Sequence, residues 1–225
     1  MKSLEKLMCY SINASSIGNN SIRGGVFMSN RFTTDSTNIS SPFLIRDYLY
    51  DELTPILKQK RPVVCICIGT DRSTGDALGP LVGEKLKYMI QSEVYIYGNL
   101  KDPVHAKNLN SVLDEIHCKF NNPFIIAIDA CLGDIDNVGK IYIEKKPLLP
   151  GMAVNKNLPP VGDISILGVV NISGNLEFMV LQNTRLYTVM TIADAISRGI
   201  YHCILKSIGF KKNPVEAKIE SILSK

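Results

Sequence analysis

Long apolar runs are missing from this 225-residue chain, and none approaches the length of a membrane span. The opening stretch MKSLEKLMCYSINASSIGNNS has no apolar block of the secretory kind. A cytoplasmic protein with no membrane association is therefore expected. Charge of one sign is also scarce. A net charge of +4 is too weak to argue for nucleic acid. The six cysteines contain no CxxC pair and no Cys/His zinc spacing, so reduced thiols packed in a core are expected rather than disulfides. Neither GxGxxG nor GxxxxGK[ST] follows a strand, and the lysine that would balance a phosphate is missing. No repeat or low-complexity array occurs. The three histidines are His105, His117 and His202. The last two lie in helical stretches and read as structural.

What is present is enough apolar sequence for one core, at 45% hydrophobic residues. Residues 1–40 are rich in Ser, Asn and Thr with weak periodicity. They read as a flexible or loosely attached arm, with a pro-segment or a docking arm as alternatives. Residues 41–225 read as a single domain. Leu44, Tyr48, Leu49, Leu53, Ile56 and Leu57 recur at helical spacing. PVVCICIG (62–69) is a strand buried on both faces. Leu78, Leu81, Val82, Leu86, Met89 and Ile90 form a helical stripe. EVYIY (93–97), a helix through Leu109–Ile116, and PFIIAID (123–129) continue an alternation of strand and helix. That alternation predicts a parallel sheet with helices on its faces. VGKIYIEKK (138–146) and ISILGVVNISG (164–174) add strands around a Pro/Gly-rich excursion at 147–163. A long helix follows through Leu186–Ile204, and a short one is expected from Lys211.

Ligands of such sheets bind beyond the carboxyl ends of the strands. Three loops should meet there. The first, TDRSTGD, carries Asp71 and Asp76. The second, GNLKDPVHA, carries Asp102 and His105. The third opens with Asp129, expected at the very end of its strand. Neighbouring carboxylates cannot both ionise cheaply, so Asp76 and Asp129 can share a proton. They can equally bind a divalent ion, with His105 as third ligand. The bland alternative is that Asp76 caps the following helix and Asp129 braces a turn. Cys131 reads as a small buried thiol rather than a nucleophile. Lys156, Asp163, Asn171 and Arg185 are polar residues beside apolar or Pro/Gly-rich stretches, placed either to brace a loop or to touch substrate.

Five motifs in order, CIGTDRSTGDALGPLVG, YGNLKDPVHAKNL, FIIAIDACLG, NKNLPPVGDISILGVVNISG and VLQNTRLYTVM, closely resemble the sporulation protein family called YyaC. IGTDRSTGDALGP and IAIDA are more distantly similar to paired motifs of the spore germination protease, and the layout to hydrogenase maturation proteases. The resemblance implies a three-layer α/β/α fold of the phosphorylase/hydrolase type. It also implies an unusual aspartic peptidase pair at Asp76 and Asp129. Substrate contacts are expected at Thr70, Asp71, Arg72, Ser73, His105, Lys156, Asp163, Asn171 and Arg185, with loops 98–105 and 147–163 as cleft walls. No cofactor is required. A divalent metal ion, if one takes part, would use Asp76, Asp129 and His105. The implied setting is the cytoplasm of a sporulating cell or forespore, with a peptide or protein substrate. The competing expectation is a non-catalytic spore protein holding a peptide or partner in the same cleft. Homo-oligomer formation is left open.

Overall fold

The computed structural model describes residues 31–89, 94–150 and 158–209. The elements are β1 (Arg31–Asp35), α1 (Ser41–Lys58), β2 (Val63–Cys67), α2 (Leu78–Met89), β3 (Val94–Tyr97), α3 (Leu109–Lys119), β4 (Phe124–Gly133), β5 (Lys140–Glu144), β6 (Ile164–Ile172), α4 (Glu177–Gln182) and α5 (Leu186–Ile208). They build one six-stranded sheet in the order β1-β5-β6-β4-β2-β3. The four strands β6, β4, β2 and β3 run parallel, and β5 and β1 are added antiparallel at one side.

Side-chain period explains the layers. Within β2, Val63, Cys65 and Cys67 face one way and Val64 and Ile66 the other, and all five are buried. The first set joins Ile126, Ile128, Ile164 and Ile166 under α1, α2 and α5. Ile45, Leu49, Leu53 and Leu57 repeat every four residues along α1 and form its buried stripe. The second set meets Leu109, Ile116 and Phe120 around α3, with Leu148 and Val161 beside them. Helices thus cover both faces, and the fold is a three-layer α/β/α arrangement on a mostly parallel sheet. No helix among the described residues is long and apolar enough to cross a membrane. The five described cysteines, Cys65, Cys67, Cys118, Cys131 and Cys203, are unpaired.

One expectation is corrected. The arm was expected to run to residue 40, but Arg31–Asp35 is an edge strand paired with Lys140–Glu144. Only Thr34 of that strand is buried, so its sequence shows no apolar alternation. Its order comes from ladder hydrogen bonds, the Arg31–Glu144 ion pair at 3.2 Å, and Phe32 stacked on Tyr48 at 4.8 Å. The long helix expected through Leu186–Ile204 is α5, and a short helix not read from the sequence, α4, precedes it. Residues 1–30 and the tail from Lys211 lie outside the described residues.

Candidate active site

The chain leaves β2 for β3 on one side and reaches β4 on the other, so the sheet changes direction between β2 and β4. This is where an open α/β sheet leaves a crevice. β2 and β4 are hydrogen-bonded in register from Val63 opposite Phe124 to Cys67 opposite Ile128. The ladder ends with the Ile68 N–H donating to the Ile128 carbonyl at 2.7 Å. Asp129 is the next residue. It is not at the end of its strand, as the sequence suggested. β4 runs on to Gly133, paired there only with β6 and interrupted by an irregularity at Cys131/Leu132. Asp129 therefore stands at the step where β2 stops and β4 continues.

The loop after β2 folds back to the same step. The Gly69 N–H donates to the Val104 carbonyl at 2.8 Å, and the Thr70 N–H to the Asp76 carbonyl at 3.0 Å. Residues 70–76 thereby close a small ring, and a single 3₁₀ turn, Gly75–Ala77, leads into α2. Among the described residues, no first-turn amide of α2 donates to the Asp76 carboxylate, so the capping alternative is not what the structure contains.

Burial pushes Asp129 well above the usual carboxylate range, and the charge of Asp76 pushes it further. The Ala130 N–H, donating to Asp129 Oδ1 at 2.8 Å, only partly opposes this. Burial also raises Asp76, against the opposing effects of His105 and the Thr70 N–H. Cys131 is pushed up to about 12, chiefly by burial and then by Asp129, so it stays a thiol at neutral pH.

The loop that carries His105 is stitched to the end of β2. Val104 forms a parallel bridge with Ile68, and Asn108 clamps the turn, accepting the His105 N–H at 2.8 Å and donating to the Pro103 carbonyl at 3.0 Å. Sequence reasoning passed over Asn108. Asparagine three residues after a Pro-x-His turn is the signal that an Asx-type clamp offers. A groove of about 540 Å³ runs past His105, Asn108, Tyr97 and Glu115.

Other expected contacts scatter. Thr70 is half-buried, and Asp71 and Arg72 are exposed on the ring. Ser73 is buried, and its Oγ has no hydrogen-bond partner. Asn171 lies at the same rim as Asp129, but its side chain is spent on bracing. It donates to Thr184 Oγ1 at 3.1 Å and to the Val180 carbonyl at 3.3 Å, and accepts from the Ile172 N–H at 2.8 Å. Thr184 in turn packs beside Gly75, so Asn171 holds α4 against the ring that carries Asp76. Arg185 is exposed at the start of α5, over the Tyr187 ring at 5.2 Å. Lys156 lies outside the described residues.

Asp163 is a correction. Its carboxylate accepts the Ile125 N–H at 2.7 Å, and its own N–H donates to the Ile125 carbonyl. Ile125 is at the amino end of β4, so Asp163 sits at the rim opposite the aspartate pair. The excursion 147–163 starts and ends at that same far rim, because antiparallel β5 brings Glu144 opposite Ser165. Its described ends, joined by the Leu148–Val161 bridge, cover the α3 face and are not walls of the aspartate cleft. Asp163→Ala is expected to cost about 1–3 kcal/mol in urea unfolding, since it strands a buried amide. It should leave any activity of the other rim unchanged.

The conditional metal set is also not assembled. Among the described residues, no three His, Cys, Asp or Glu side chains are disposed to hold a metal ion.

Comparison with known proteins agrees with the family read from the motifs. A solved structure, the NiFe hydrogenase maturation protease HycI from Thermococcus kodakarensis KOD1, is similar with a TM-score of 0.45 and 19% identity, over 68% of this chain and 98% of that one. The Bacillus subtilis (strain 168) protein named uncharacterized protein YyaC is 54% identical over 140 residues, which cover 62% of this chain and 68% of that protein. The family described as "Protein of unknown function (DUF1256)" matches residues 33–199, from β1 into α5. The chain therefore belongs to the DUF1256 family.

Proposed function

We propose that the chain is a sporulation-associated endopeptidase in which Asp76 and Asp129 share one proton and activate water against a peptide carbonyl. One observation carries the reading. Asp129 on β4 and Asp76 in the loop that leaves the adjacent parallel β2 stand at the rim where the strand order reverses, and burial drives both toward the protonated form. The pair titrates as a unit. Asp129, the more strongly raised member, holds the proton, and Asp76 is the ionised member. Asp76 takes a proton from water as the water oxygen bonds to the carbonyl carbon, while Asp129 gives its proton to the carbonyl oxygen. Collapse of the tetrahedral diol breaks the C–N bond. The departing amine takes the proton held by Asp76, and Asp129 recovers its own from the diol. The spore setting follows from the YyaC resemblance, and the substrate is a peptide or protein met in the cytoplasm of the sporulating cell.

The test is peptide profiling of a spore-stage proteome with wild type and Asp129→Asn side by side. New termini are expected with the wild type alone, and identical profiles reject cleavage in favour of a binding role. This chemistry needs no cation. Dialysis against a chelator is expected to leave the profile unchanged, and loss restored by a divalent ion would replace the mechanism with a metal-assisted one.

A further inference from the structure

β4 is longer than the strand beside it, and its hydrogen bonds show which main-chain groups that leaves over. In a strand the N–H and C=O of one residue point to one side and those of the next residue to the other. On the β2 side, the Phe124 N–H donates to the Pro62 carbonyl and the Ile128 carbonyl accepts the Ile68 N–H, both at 2.7 Å. On the β6 side, the Ile125 carbonyl accepts the Asp163 N–H and the Gly133 carbonyl the Ser173 N–H, also at 2.7 Å. Even-numbered residues thus serve β2 and odd-numbered ones β6, from the first residue of β4 to its last. The β2 ladder stops opposite Ile128, so Ala130 and Leu132 turn their main chain toward the space beyond the end of β2.

The Ala130 N–H is met locally by Asp129 Oδ1. The Ala130 carbonyl and both main-chain groups of Leu132 have no partner on the β2 side among the described residues. The chain after β2 does not supply one: the Gly69 N–H goes to Val104, and the Thr70 N–H closes the ring on Asp76. Ile125–Ile128 are buried, whereas Ala130, Cys131 and Leu132 are half-buried, so solvent reaches this part of the strand.

We infer that the free edge of β4 at Ala130–Leu132 is a binding site for an extended peptide, which adds to the sheet as a further strand. The inference rests on the paired-carboxylate reading for its consequence, cleavage, and names the substrate class of that site: unfolded segments held by their main chain. An unpaired strand edge recognises the N–H and C=O groups of extended backbone, and every residue but proline supplies both. Recognition is therefore tolerant of sequence. Helical segments are refused, because their amides are already bonded. A peptide seated on this edge runs directly past Asp129, the residue before Ala130.

The test is amide hydrogen exchange followed by ¹⁵N NMR on the full chain carrying Asp129→Asn, alone and with a library of end-blocked peptides randomised at every position. Alone, the Leu132 amide should exchange at least about 10-fold faster than that of Ile126, which faces the same side within the ladder. Saturating library should slow Leu132 by about 10-fold or more and leave Cys131 unchanged, and the same library N-methylated at every residue should do neither. Leu132→Pro, which removes this donor, should weaken binding of the library by about 10-fold in titration calorimetry, and Leu132→Ala, which keeps the amide, should not. Slow exchange at Leu132 in the free chain, no slowing by the library, or equal slowing by its N-methylated form overturns the site. Failure of the carboxylate reading looks different: the library slows Leu132, yet the wild type cleaves none of it.

Discussion

Asparagine at position 129 is expected to lower kcat/KM on a cleaved peptide by about 10²–10⁴-fold while making the protein more resistant to heat. Loss of a positioned acid or base has that range of effect on rate. Asp76→Asn should do the same, and the double variant should lose little more than either single one, because in the proposed mechanism the two groups act as one unit. The stability gain has its own sign argument. Both aspartates titrate higher in the folded chain than in the unfolded one. The folded state therefore binds protons more tightly, and stability declines as pH rises from the unfolded carboxylate value through the folded one. The amide that Asp129→Asn introduces removes the carboxyl that must take up a proton to fold but can keep an oxygen for the Ala130 N–H. The Tm of Asp129→Asn should exceed that of wild type by a few degrees at neutral pH, and the difference should vanish below pH ~4. Thermal unfolding followed by circular dichroism across that range checks it. A variant less stable than wild type at pH 7 would falsify the claim that this carboxyl is held at a cost.

Gly83→Ala is expected to destabilise the fold severely. A Cβ at Gly83 would overlap the Gly98 carbonyl oxygen, and one at Gly79, a turn earlier on α2, would overlap the Ile68 carbonyl oxygen. The obstacles are main chain at the ends of β2 and β3, which cannot rotate away. Gly98 itself has φ +88° and sits against the Cys67 carbonyl, so the strand end has no slack either. Alanine's helix preference returns about 1 kcal/mol. Overpacking of this kind costs typically about 1–3 kcal/mol and more against backbone, so a net loss of about 2 kcal/mol or more is expected in urea unfolding. Gly174→Ala, with nothing within 4 Å of its Cβ, is the matched control and should stay within about 0.5 kcal/mol.

How much of this could be read beforehand depends on which interaction fixes each element. Val63–Cys67 and Phe124–Ile128 announce themselves because burial on both faces demands continuous apolar residues. Strict strand–helix alternation then makes them parallel, and Asp76 and Asp129 fall at the same rim as a result. β1 was illegible because backbone pairing and one ion pair hold it, not an apolar pattern. Asp163 misled because local sequence does not say which rim a loop occupies. That follows from β5 running antiparallel, a fact of topology. Asn171 looked free for substrate, and the tertiary fold spent it on Thr184 and Val180. His105 could be picked out as a loop histidine, but its relation to Asp76 depends on the Ile68–Val104 bridge, between residues distant in sequence.

The in-register ladder between β2 and β4 has a bearing on how this protein can diversify. Of the proposed acid pair, Asp129 takes its place from that main-chain ladder, and Asp76 from the closed loop that follows β2. Surrounding side chains can therefore drift to suit new targets without retuning the central chemistry. Relatives are expected to vary most where they greet their clients and least along the glycines that keep α2 pressed to the strand ends.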